Sequence, residues 1–174
     1  MSASFAGSMS QSMIVFYTMA PLVFLAVVGM GLLVFGVVAR RDHSFASSIG
    51  AIFAFIIAAR LIFAAPDGYV FGGLFFTDEF TRYSDVLILL GGIGTLLLSI
   101  DFNARAGIAR FEFPILVMFS VIGMLVMVSA GDMLTLYVGL EVQSIALYVT
   151  AAFARDDVRS AEAGLKYFVL NALA

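Results

Sequence analysis

The chain has 174 residues, 63% of them hydrophobic and 12% charged, with a net charge of −3 and a mean hydropathy of +1.10. A soluble domain carries roughly 45–50% apolar and about 25% charged residues, so this is the composition of an integral membrane protein, and its few scattered basic residues give no sign of nucleic-acid binding. The absence of cysteine excludes disulfides, thiolate metal sites and Cys-ligated iron–sulfur clusters, and with His43 as the single histidine no haem or zinc site is expected.

The N-terminus, MSASFAGSMSQSM, is Ser-rich and has no Lys or Arg. That argues against a cleaved signal peptide and against a mitochondrial transit peptide. Five hydrophobic spans follow, at about 19–39, 46–64, 83–100, 113–129 and 134–153. A sixth begins near Ser160 and reaches Ala174, short of the ~20 residues needed to cross a bilayer. The chain therefore reads as a fragment, or as one whose sixth helix a separate polypeptide completes, with a re-entrant segment as a further reading. The fold class expected is all-α, with five complete transmembrane helices and the start of a sixth.

Pro21 and Pro114 fall at the starts of the first and fourth spans, where a missing N–H is tolerated. Ser160 is an expected cap of the sixth helix, with Glu162 in its first turn and Glu162–Lys166 in the favoured i,i+4 order. The loop APDGYVFGGLFFTDEFTR between the second and third spans has a Gly-Gly turn flanked by aromatics, which predicts a small β-hairpin near 70–76 at the membrane interface. GGIG at Gly91–Gly94 lies within an apolar span and reads as helix packing, not a phosphate loop.

Arg40 and Arg41 follow the first span, Arg105 and Arg110 the third, and Arg155 and Arg159 the fifth, whereas the opposite loops hold Arg82 alone. The positive-inside rule then places the N-terminus outside.

Four charged residues lie in or near the spans. Arg60 is close enough to the end of its helix to snorkel. Asp85 is near the outer end of the third span and reads as an interfacial carboxylate. Glu141 is different, because it lies near the centre of LTLYVGLEVQSIALYVTAAF. A carboxylate there costs roughly 2.5–3.5 kcal/mol on insertion scales, and such residues commonly mark ion or proton paths. The alternative is a glutamate that is simply protonated or hydrogen-bonded to a neighbouring helix. Lys166 is six residues into the sixth helix, about 9 Å along it, and antiparallel packing on the fifth leaves an axial offset of about 9 Å from Glu141. That offset is too long for a salt bridge and suits a relay through water. The other reading of Lys166 is an interfacial anchor.

The pieces LYVGLEVQSIALYV and RSAEAGLKYFVL, within the stretch 111–174, closely resemble the subunit N family of bacterial proton-pumping NADH:quinone oxidoreductase, respiratory complex I. FGGLFFTDEFTRY and LILLGGIGTLLLS resemble the outer hairpin and third helix of the same family, so the resemblance covers about 71–174. The second of the first two pieces separates subunit N from its relatives, subunits L and M.

The resemblance implies the N-terminal part of an antiporter-like domain of about fourteen helices, related to the Mrp cation/proton antiporters. Glu141 matches the family's fifth-helix glutamate and Lys166 its sixth-helix lysine, both implicated in proton translocation. It implies no cofactor in this chain, with flavin, iron–sulfur clusters and quinone in partner subunits. The implied partners are the other membrane subunits, including antiporter-like subunit M, in a hetero-oligomer with lipid around it. The implied location is the bacterial inner membrane, multi-pass, with a periplasmic N-terminus. Asp85 stands where relatives often carry a lysine, so the third helix is given no relay role. Asn171 replaces a common glycine, which bears on the packing of the sixth helix. An Mrp-type antiporter or membrane-bound hydrogenase subunit, and a non-transporting scaffold, are the rival readings.

Overall fold

Long apolar runs with few breakers fold here into six helices and one small hairpin. The computed structural model describes residues 2–38 and 44–173, with side chains from Met13 onward. Arg40, Arg41 and His43 lie outside the described residues, as do Ala39 and Ala174 at the expected ends of the first and sixth spans. The order is α1 (Ser2–Val38), α2 (Ser44–Ala64), β1 (Gly68–Val70), β2 (Phe75–Thr77), α3 (Glu79–Arg105), α4 (Glu112–Val128), α5 (Met133–Ala151) and α6 (Val158–Ala172).

Four of these helices, α1 from Met13, α2, α3 and α5, are long and apolar enough to cross a membrane. The expected fifth crossing, α4, has 17 residues, the short end of the range of about 17–25 for a spanning helix.

Helix ends depart from the sequence reading where polar residues continue a helix. α1 starts well before residue 19, because nothing in the Ser-rich N-terminus forbids helix, and Pro21 lies inside it rather than at its start. α3 begins at Glu79 because Asp78 caps it, accepting from the Thr81 backbone N–H at 2.7 Å. That N–H holds the Asp78 carboxyl below its usual value. Asp132 caps α5 in the same way at 2.8 Å, and the Thr135 hydroxyl and backbone N–H lower its pKa. α6 is capped by Asp157, not by Ser160. Ser160 is already helical and donates to the Ala151 carbonyl at 2.7 Å, which ties α6 back to α5. Glu162 consequently falls beyond the first turn.

The hairpin is present in the expected loop. β1 and β2 pair antiparallel, with Tyr69 opposite Phe76, and the turn carries Phe71, Gly72 and Gly73 at positive φ. The glycines suit this backbone because they lack a Cβ. The hairpin is bonded to the end of α4: Phe76 N–H donates to Ser129 O at 3.0 Å, and Gly131 N–H to Leu74 O at 2.8 Å. Arg82 holds its other side, paired with Asp67 and donating to Ala65 O at 3.1 Å.

The core lies where α1 to α4 meet. Leu25, Phe55, Leu89, Leu96, Met118, Val121 and Leu125 are buried there, together with Ala51, Ala54 and Ala58 along one face of α2. Small residues on that face let helix backbones approach, the usual device where lipid supplies no hydrophobic drive between helices. Gly92 of the GGIG stretch serves this packing, since a Cβ on it would lie 3.0 Å from both Phe55 and Val121. α4 and α5 also pack closely at their glycines. A Cβ on Gly123 would lie 2.5 Å from Gln143 N, and one on Gly139 would lie 2.9 Å from Gly123 O. Large apolar side chains such as Phe16, Val27, Phe53 and Leu98 face outward.

Candidate functional site

Glu141 lies eight residues from the start of α5 and ten from its end, near the helix midpoint. It is partly buried and opens on a cleft of about 610 Å³ between α5 and α6. Around it are Tyr137, Tyr148, Phe168 and Asn171. Tyr137, one turn earlier, hydrogen-bonds Glu141 through its hydroxyl.

Tyr148 stands two turns further along the same face. Its ring packs edge-on against Tyr167 and Phe168 of α6, with centroids 4.8 and 5.8 Å away. Its hydroxyl is buried without a protein partner. A phenol in that state needs an acceptor or a water, and the adjoining cleft has room for water.

The two helices meet closely below this point. A Cβ on Gly164 would lie 2.6 Å from the Ala152 side chain and 3.1 Å from Tyr148 O. Gly164, Phe168 and Asn171 follow the i, i+4, i+7 spacing of one helix face, so tight packing of α6 is set by Gly164. Asn171 is the polar group that α6 brings to the cleft.

Lys166 is on α6 but does not line this cleft. It forms an ion pair with Glu162, Nζ to Oε1 at 2.6 Å, the i,i+4 partner read from the sequence, and its side chain is 69% exposed. The structure therefore brings Glu141 together with Tyr137, Tyr148 and Asn171, and sets the Glu162–Lys166 pair on a different face of α6. Lys166 pairs with Glu162 and makes no salt bridge with Glu141. The tyrosines were missed because aromatics in an apolar span read as packing. The signal that finds them is their spacing of −4 and +7 from Glu141.

The remaining charges separate cleanly. Arg60 is exposed on α2. Asp85 is buried within the bundle: it is 7% exposed, beneath the hairpin and among α1, α2 and α4. The hairpin and the first helix cover the end of α3 that the sequence leaves open to water. Among the described residues no group of three or more His, Cys, Asp or Glu could hold a metal ion.

Comparison with known proteins covers most of this chain. A family described as NADH:quinone oxidoreductase/Mrp antiporter, TM, matches residues 130–174, which include α5, the cleft and α6. NADH-quinone oxidoreductase subunit N 1 of Acidiphilium cryptum is 60% identical over 158 residues, covering 91% of this chain and 33% of that relative. Subunit N of Rhodospirillum rubrum is 49% identical over 158 residues, 88% of this chain and 32% of the relative. A chain in the structure of respiratory complex I from Thermus thermophilus with bound aureothin superposes with a TM-score of 0.68 at 27% identity, over 88% of this chain and 33% of that one. The chain thus spans about a third of the length of the curated relatives it matches.

Proposed function

Along nine-tenths of its length this chain belongs with the homologues named NADH-quinone oxidoreductase subunit N, and from that premise we propose that it is part of a proton-translocating membrane-arm subunit of complex I. The observation that carries the reading is Glu141. A carboxyl held at mid-helix in a membrane-length helix, facing a cleft lined by Tyr137, Tyr148 and Asn171, is costly, and residues so placed commonly mark an ion or proton path. The polar side chains give water in the cleft places to bind.

In this reading the chain carries no redox centre. Electrons pass from NADH through flavin and iron–sulfur clusters to quinone in partner subunits, and this subunit binds and releases protons when that chemistry alters its surroundings. Its partners are the other membrane subunits, antiporter-like subunit M among them. The Mrp-type antiporter reading shares the family description and the same carboxyl. Co-purification with flavin- and cluster-bearing subunits separates the two.

Lys166 is the second translocating group of the proposal. Its side chain is paired with Glu162, on the helix that packs against the one bearing Glu141. Lys166→Ala removes both the charge and the proton site. Lys166→Arg keeps the charge but releases no proton at accessible pH. Both variants are expected to lower proton translocation per NADH in vesicles severalfold, normalised to assembled complex. Full activity of the Arg variant would leave Lys166 as a fixed charge.

The proposed location is the bacterial inner membrane with the N-terminus periplasmic. Single cysteines placed at Arg105 and Asp157 are then expected to react with an impermeant reagent from the cytoplasmic side. Reaction from the periplasmic side alone would reverse the topology.

A further inference from the structure

Asp85 is a second carboxyl inside the bundle, far along the chain from the Glu141 cleft. It is 7% exposed, and its Oδ1 has no protein partner. It lines a cavity of about 20 Å³ beneath the hairpin, with Thr18 of α1, Thr77 of β2 and Ser129 at the end of α4. Thr18 Oγ1 is also buried without a partner, as is Thr81 Oγ1 one turn before Asp85.

These orphaned atoms share a cause. Each is a polar group removed from bulk water and given no protein partner, which costs free energy unless a water supplies the bond. The cavity exceeds the roughly 10–15 Å³ that one water needs, and its polar lining can supply the two to four partners a buried water uses.

The charge surroundings are equally specific. Asp85 is the single ionisable residue lining the cavity. Across from it, α1 presents Thr18, α2 presents Ile62 and Ala65, β2 presents Thr77, and α4 presents Leu125 and Ser129. On its own helix the nearest cation is Arg82, which is engaged by Asp67 and the Ala65 carbonyl. Arg60 of α2 is exposed. A carboxylate ion without a counter-charge in such a place is far more costly than the neutral acid.

We propose that this cavity holds one water molecule and that Asp85 sits over it as a neutral carboxylic acid, an exchangeable proton-binding site separate from the Glu141 cleft. The acid's O–H donates to the water, and the water in turn serves Thr18 and the other hydroxyls around it. The site belongs to the hairpin end of the bundle and does not need to exchange protons with Glu141, so it stands whether or not Glu141 pumps.

Infrared difference spectroscopy on the assembled, full-length protein in membranes, with isotope-labelled aspartate, tests the assignment. The expected spectrum contains a labelled protonated-carboxyl stretch that is lost in Asp85→Asn and moves to lower frequency in heavy water. Absence of that band in the wild type, or its survival in the variant, overturns the neutral acid. A band that does not move in heavy water overturns the exchangeable site. Asp85→Glu is measured beside it, because it retains an acid for assembly while removing the label from the site. The labelled band must vanish there too. Proton pumping is not the readout, so failure here is distinguishable from failure of the Glu141 reading.

Discussion

Glu141→Gln is expected to lower proton translocation and coupled NADH:quinone turnover severalfold while the subunit still assembles. Glutamine has nearly the shape of glutamate and keeps an oxygen to accept from the Tyr137 hydroxyl. It therefore preserves the packing of the cleft between α5 and α6 and removes only the capacity to bind and release a proton. Glu141→Asp retains a titratable group one methylene shorter, so it is expected to keep more activity than the glutamine variant. The measurement is proton uptake per NADH in vesicles, with subunit content determined on the same preparations. Equal pumping in the glutamine and wild-type complexes would remove Glu141 from the proton path. A loss of subunit from the membrane would instead assign Glu141 to packing.

Gly139→Leu is expected to prevent accumulation of the folded subunit. On α5 a Cβ at this position would lie 2.8 Å from Met127 Cγ and 2.9 Å from Met127 N and Gly123 O. Two of those three atoms are backbone and cannot rotate away. Overpacking a well-packed interior costs about 1–3 kcal/mol, and more where nothing yields. Leucine adds three further carbons to the same crossing, so α4 and α5 must separate to admit it. Gly139→Ala places the Cβ alone and is expected to give an intermediate loss. Membrane-resident protein and its thermal midpoint are the measurements. Normal levels of the leucine variant would mean that α4 and α5 cross further apart than their glycines indicate.

The membrane class, the six helices and the hairpin were legible because each rests on a property that runs along the chain. Apolar length marks a spanning segment, and a Gly-Gly pair between aromatic runs marks a hairpin. Glu141 was legible for a related reason: one charge in an apolar helix stands out without any knowledge of its neighbours. What the sequence hid was lateral. A helix that is hydrophobic on all sides has no polar face to orient it, so nothing in α3 said that Asp85 turns toward Thr18 and Ser129 instead of toward water. The same blindness concealed the face of α6. Lys166 and Asn171 are both polar residues on one short helix, yet Asn171 meets the cleft and Lys166 pairs with Glu162. Cap choice failed on a smaller scale, since Asp157 and Ser160 are both good caps and the chain took the earlier one.

The bonds between the hairpin and the end of α4 have a mechanical meaning. α3 and α4 are joined in sequence through residues 106–111, and at their opposite ends the hairpin ties them again through Phe76 to Ser129 and Gly131 to Leu74. The pair is a closed frame, braced at both ends, and neither member can splay from the other without breaking one of those ties. α6 is built differently. Among the described residues its ties to α5 include the 152–157 turn, the Ser160 to Ala151 bond, the Gly164 contact and the packing of Tyr148 on Tyr167 and Phe168, so beyond the turn it is held by side chains and glycine contact and not by a second backbone strut.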